Sequence, residues 1–169
     1  IGMSHKTAPV EARECFSWHD QQLVDLYEKI RDMDIDEAVY ITTCNRVEVY
    51  ITSADVHAAV DELVSLLEKY ADSRQDNLET MLYKKYSRDA VDQLLTVVSS
   101  LDSMVVGENE IIGQVKESYR EAVQQRMTGT VLNKLFHQAF KTAKRVRTET
   151  EISRNPLSVA YIATRSEEH

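Results

Sequence analysis

Between residues 38 and 52 the chain alternates with a period of two. From residue 53 onward apolar residues recur with a period near 3.6, and this change of rhythm restricts the fold more than any other feature. Ala38-Val39-Tyr40-Ile41-Thr42 is a β-branched and aromatic run; four residues later Val47, Val49 and Ile51 alternate with Glu48, Tyr50 and Thr52, so two strands bracket a short connection. Val56, Ala59, Val60, Leu63, Val64 and Leu67 then form one apolar stripe, as on an amphipathic helix.

Earlier in the chain, residues 1–3 read as the tail of a strand, and Ser4-His5-Lys6-Thr7-Ala8-Pro9 as a turn-rich segment ending at proline. Leu23, Leu26, Tyr27 and Ile30 predict a helix over residues 18–32, with Ser17 as its N-cap. Residues 72–77 are polar and read as a loop, and residues 81–86 as a last strand. Residues 88–150 fit helix except near 99–108 and 127–129. Pro156 ends that pattern, and Leu157, Val159, Ala160, Ile162 and Ala163 open another helix. The expectation is an α+β chain. A small βαββαβ-like, ferredoxin-like sheet subdomain over residues 1–86 precedes a helical subdomain over 87–155 and the start of a long connecting helix over 156–169.

With 169 residues and 43% hydrophobic content the chain can bury a sizeable core. No apolar run approaches the roughly 20 residues of a membrane span. Cys15 and Cys44 have neither a C-x-x-C spacing nor the density of a disulfide scaffold, which fits reducing surroundings and the cytoplasm as the expected address, or the plastid stroma for a plant source. A formal net charge of −8 argues against coating nucleic acid by bulk electrostatics. Contact with nucleic acid would have to be local. Residues 130–150 offer a place: Leu132, Leu135, Phe136, Ala139, Ala143 and Val146 share one side of a helix wheel, and Lys134, His137, Lys141, Lys144 and Arg145 the other. A solvated helix face is the simpler reading of those cations.

Thr42-Thr43-Cys44-Asn45-Arg46 puts a thiol on the connection between two strands, with a guanidinium two residues on. Positive charge and backbone N–H groups favour thiolate. From this pentapeptide alone a reactive thiol and a small buried hydrophobe are equally admissible. A second polar cluster, residues 101–116, joins two helices: Asp102, Ser103, Glu108 and Gln114 could line a pocket, but helix capping is the commoner use of such residues. His5, His19, His57, His137 and His169 have no metal-binding spacing, and Gly2, Gly107, Gly113 and Gly129 build neither a phosphate loop nor a dinucleotide fingerprint. A cysteine hydrolase with a distant histidine base stays open.

Five segments, in register over nearly the whole chain, resemble the successive motifs of glutamyl-tRNA reductases. They are Gly2-Met3-Ser4-His5-Lys6-Thr7-Ala8-Pro9, Thr43-Cys44-Asn45-Arg46-Val47-Glu48-Val49-Tyr50, residues 101–116, Leu132-Asn133-Lys134-Leu135-Phe136, and Ala143-Lys144-Arg145-Val146-Arg147-Thr148-Glu149-Thr150. The resemblance implies that Cys44 is a nucleophile that takes the glutamyl group of glutamyl-tRNA(Glu) as a thioester. NADPH, bound by a domain outside this chain, would reduce it to glutamate-1-semialdehyde, the first step of the glutamate route to 5-aminolevulinate, porphyrins and haem. It further implies Thr43, Asn45, Arg46, Ser103, Glu108, Asn109, Glu110 and Gln114 around the substrate, with Arg46 suited to a carboxylate. Lys134, Lys141, Lys144 and Arg145 are candidates for tRNA contact. The full-length protein would be a homodimer through a further domain, with glutamate-1-semialdehyde aminomutase as a possible partner, no metal and no membrane.

Three positions depart from the family pattern. Gln93 stands where many relatives carry a histidine important for activity, Ser100 where glycine is usual, and Glu110 where glutamine is usual. Glutamine orients but does not titrate, so Gln93 is a position expected to tune activity. The alternative reading is a non-catalytic glutamyl-tRNA-binding paralogue or regulatory module of the same fold.

Overall fold

The computed structural model describes residues 1–70, 77–102 and 110–150. Its elements in chain order are β1 (Gly2–Ser4), α1 (Val10–Glu14), α2 (Asp20–Arg31), β2 (Glu37–Thr43), β3 (Arg46–Thr52), α3 (Val56–Tyr70), α4 (Leu78–Met81), α5 (Ser87–Val98), α6 (Glu110–Gln124) and α7 (Thr130–Glu149). The α+β class expected from the hydrophobic period is what forms.

The sheet has three antiparallel strands in the order β1-β3-β2. Thr43 pairs with Arg46, so Cys44-Asn45 is a two-residue hairpin turn, tighter than the four-residue connection read from the sequence. β1 pairs with β3 only from Gly2 opposite Glu48 to Ser4 opposite Arg46. Gly2 permits this approach, because a Cβ there would lie 2.8 Å from the Val47 carbonyl oxygen and 2.7 Å from Glu48 Cγ.

Residues 81–86, expected as a strand, contribute one bridge. Gly2 N–H donates to the Tyr83 carbonyl at 3.0 Å, and Tyr83 N–H to that of Gly2 at 2.8 Å. Met81 is already taken into α4, and β1 is three residues long, so little free edge remains for a longer ladder. Ser17 does not cap α2. Its hydroxyl donates back to the Arg13 carbonyl at 3.5 Å, and His19 occupies the cap position. Residues 156–169, expected to start a connecting helix, and most of the loop expected over 72–77 lie outside the described residues.

Val39 and Ile41 are fully buried in β2, as are Leu26, Tyr27 and Ile30 of α2 and Leu63 of α3. Tyr40 N–H donates to the Tyr27 hydroxyl at 3.0 Å, and the Trp18 ring stacks on Tyr40 at 5.5 Å. The helical half joins the same core. α6 packs along β2, α7 touches β2 and β3, and one cluster of buried side chains runs from Met3 to Ala143. Glu37 ties the halves together: its carboxylate accepts the N–H groups of Gly129 (2.7 Å), Val131 (3.0 Å) and Leu132 (2.8 Å), satisfying the first turn of α7.

Ser100 has φ of 61° and is fully buried. Glycine adopts that left-handed backbone without a Cβ penalty, which gives the Ser100 departure a physical meaning.

Candidate active site

The site is built on the β2–β3 turn. Two paired strands hold the turn's ends, and Cys44 at its tip is exposed, not packed as a small hydrophobe. Thr43 Oγ1 accepts the Asn45 N–H at 3.2 Å and closes the turn locally. Asn45 carbonyl accepts the His5 N–H at 2.9 Å, and Cys44 carbonyl accepts Arg13 Nη2 at 3.4 Å, so the segment after β1 grips the turn from behind.

Two hollows open beside the thiol. One, of about 490 Å³, is lined by Cys44 and Thr43 with Asp20 of α2 and Gln114, Glu117 and Ser118 of α6. The other is a narrow crevice where Thr43, Cys44, Asn45, Arg46, Glu110 and Gln114 meet. Six residues singled out from the sequence are therefore neighbours, although strand and helix lie more than sixty residues apart. Ser103, Glu108 and Asn109 lie outside the described residues.

Behind the turn lies a buried ionic network. The Arg46 side chain is 1% exposed. Its Nη1 donates to Glu48 Oε1 at 3.1 Å, and its Nη2 to the Asp102 carbonyl at 2.7 Å and carboxylate at 3.1 Å. Both terminal nitrogens are engaged, Nη1 by Glu48 and Nη2 by Asp102, while the buried Nε has no hydrogen-bond partner. Asp102, read from sequence as a pocket residue or a cap, thus spends its carboxylate on Arg46 and Lys6.

Glu48 is the hub. It accepts Arg46, the Tyr50 hydroxyl at 2.7 Å, the Tyr83 hydroxyl, and Gln93 Nε2 at 2.8 Å. Gln93 Oε1 in turn accepts Lys85 Nζ at 2.6 Å, so this amide links a surface cation to the buried carboxylate. Burial alone would lower the Arg46 pKa, but Glu48, Tyr83 and Asp102 together hold it above the ordinary guanidinium value. Burial, reinforced by the Glu48 charge, pushes the Tyr50 and Tyr83 hydroxyls well above the usual phenol range. Both remain donors at every ordinary pH.

Sequence reasoning assigned no role to Glu48, Tyr50, Tyr83 or Arg13. Arg46, Glu48 and Tyr50 do fall on one face of β3 by alternation, a pattern that a solvated face would share.

A family model described as the N-terminal domain of glutamyl-tRNAGlu reductase matches residues 1–150. The chain belongs to this family. The glutamyl-tRNA reductase of Syntrophus aciditrophicus is 48% identical over 166 residues, which cover 96% of this chain and 39% of that protein. That of Geotalea uraniireducens is 44% identical, covering 96% and 38% respectively. The solved structure of the glutamyl-tRNA reductase from Methanopyrus kandleri superposes with a TM-score of 0.76 at 31% identity, over 99% of this chain and 38% of that one. The chain therefore spans about two fifths of the length of these relatives.

Lys134, Lys141, Lys144 and Arg145 are all exposed on α7, and Arg145 pairs with Glu149 at 3.1 Å. Among the described residues no group of three or more His, Cys, Asp or Glu could hold a metal ion. No helix among them is long and apolar enough to cross a membrane. The described glycines do not make a dinucleotide cradle: Gly2 is pressed into β1, Gly113 lies inside α6, and Gly129 gives its N–H to Glu37.

Proposed function

We propose that this chain is the acyl-accepting domain of a glutamyl-tRNA reductase. The observation that carries the reading is an exposed thiol on a two-residue turn, beside polar hollows, in a member of that family. The Cys44 thiolate adds to the carbonyl carbon of the aminoacyl ester on glutamyl-tRNA(Glu). A C–S bond forms, the C–O bond to the terminal ribose breaks, and the RNA leaves with its hydroxyl reprotonated. An aminoacyl ester is already activated, so a strong general base is not required.

Around the thiol, Thr43, Asn45, Glu110 and Gln114 orient the substrate's polar atoms, with Ser103, Glu108 and Asn109 assigned to the same pocket. Arg46 takes the side-chain carboxylate by drawing on the nitrogen it shares with Asp102. Gln93 tunes the site through Glu48. Lys134, Lys141, Lys144 and Arg145 are the surface assigned to the tRNA backbone.

The described residues do not fit NADPH, so hydride delivery and release of glutamate-1-semialdehyde belong to a part of the full-length protein outside this chain. So do dimerisation and hand-over to an aminomutase. Taken alone, the chain forms the thioester and does not reduce it.

The decisive experiment uses glutamyl-tRNA labelled in the glutamate. The expected result is a hydroxylamine-labile adduct with the wild-type and Cys15→Ser proteins, and none above background with Cys44→Ala. Persistence of the adduct in Cys44→Ala refutes the reading.

A further inference from the structure

Arg13 is a buried cation with no carboxylate partner among the described residues. The residue is 8% exposed, on the five-residue helix α1. Nη1 donates to the Ala8 carbonyl at 2.7 Å and Nη2 to the Cys44 carbonyl at 3.4 Å, while buried Nε has no hydrogen-bond partner. Among the described residues no carboxylate pairs with it. Taking a guanidinium out of water without a counter-ion is costly, and two carbonyl contacts could be met by a neutral donor. What a guanidinium adds is charge, and that charge stands directly behind the residue carrying the thiol.

We propose that Arg13 is the positioning residue of the Cys44 turn, fixing its backbone from the closed side and supplying the positive field in which the sulfur ionises. The two turn carbonyls are held together, Cys44 by Arg13 and Asn45 by the His5 N–H, so the tip presents its side chain to the open hollow.

Other charges face the same turn. Arg46 lies below it on β3, and His5, kept toward its neutral form by burial and by Arg46, lies beside it. On the open side stand His19, the cap of α2, with Asp20 of α2 and Glu110, Glu117 and Glu121 of α6. The carboxylates act against a thiolate, although water screens the exposed ones. Buried Arg13 offsets them and is not screened.

This proposal takes Cys44 as the functional thiol, but its first test needs no RNA. Iodoacetamide alkylates a thiolate, forming C–S and expelling iodide. The rate at Cys44 is followed against pH by peptide mass spectrometry in the full-length protein, with Cys15 as internal reference and circular dichroism as the check on folding. Arg13→Gln keeps an amide donor and removes the charge. It is expected to raise the Cys44 alkylation midpoint by about one pH unit, roughly tenfold slower labelling near neutrality, and Arg13→Lys to restore it. A folded Arg13→Gln protein with an unmoved midpoint overturns the proposal. Should Arg13→Gln fail to fold, Arg13→Lys decides: one ammonium does not span both carbonyls, so glutamyl transfer slows several-fold at unchanged KM. Wild-type transfer by Arg13→Lys then overturns it. Loss of the Cys44 acyl role alone would leave the alkylation shift intact, so the two readings fail separately.

Discussion

Glu48 is the residue on which the site's architecture turns. Four donors converge on a carboxylate that is 1% exposed, and one of them, Arg46, is equally buried. A buried ion pair contributes little compared with well-packed apolar residues, but removing one partner strands the other. Glu48→Gln should therefore destabilise the protein by about 3 to 5 kcal/mol, read from urea unfolding, because Arg46 loses its charge partner and the new amide group meets donors where it needs acceptors. Tyr83→Phe should cost about 1 kcal/mol, since it removes one donor among four. Equal losses from the two changes would contradict a hub at Glu48. Little of this was legible in the sequence. Cys44 beside Arg46 drew attention because thiol chemistry has a recognisable neighbour effect, whereas Arg46, Glu48 and Tyr50 at alternate positions describe a wet strand face as well as a buried one. Only the cover of Gln93, Tyr83 and Asp102, all more than thirty residues away, decides between them.

Among elements, the helices were the most legible, because α3, α5, α6 and α7 each carry an apolar stripe long enough to set the period. The short pieces were not. α1 has five residues and α4 four, too few for a period to repeat, and each follows from its neighbours' packing. The cap of α7 was also hidden, since it comes from Glu37, over ninety residues earlier, and no local capping box marks it. Glu37→Ala leaves three N–H groups at the helix start without their acceptor and should destabilise the protein by about 2 kcal/mol; Glu37→Gln, which keeps one carbonyl oxygen, should cost less. Urea midpoints of the two variants check the order. Gly129→Ala should act in the same direction, because the added Cβ would lie 3.1 Å from Glu37 Cδ.

For the whole molecule, the fold class and the grouping of Cys44 with Gln114 were within reach of sequence patterns and family motifs, but the seating of α6 along β2 was not, since no local signal encodes which helix covers which strand. The assembled network also sets a pH window. Burial alone would raise the Asp102 pKa, but hydrogen bonds from Lys6 and Arg46 outweigh it and hold the carboxyl below its ordinary value. Its stabilisation is therefore complete above the unfolded carboxyl pKa of about 4 and is lost as pH falls through the folded value. Tyr50 and Tyr83 work oppositely: with folded pKa values raised, their contribution is complete below about pH 10 and lost above it. Between these limits Asp102 and the tyrosines leave stability level, while His5, held toward its neutral form by burial and Arg46, lowers it as pH falls below the ordinary imidazole value of about 6.5. Asp102→Asn should flatten the acid shoulder below that in thermal melts across pH, and an unaltered shoulder would place acid sensitivity elsewhere. One more consequence follows from β2. Its first residue, Glu37, grips the origin of α7, and its last, Thr43, adjoins the thiol. At about 3.3 Å per residue, this strand is a stiff rod of roughly 20 Å with a helix fastened to one end and the Cys44 turn at the other.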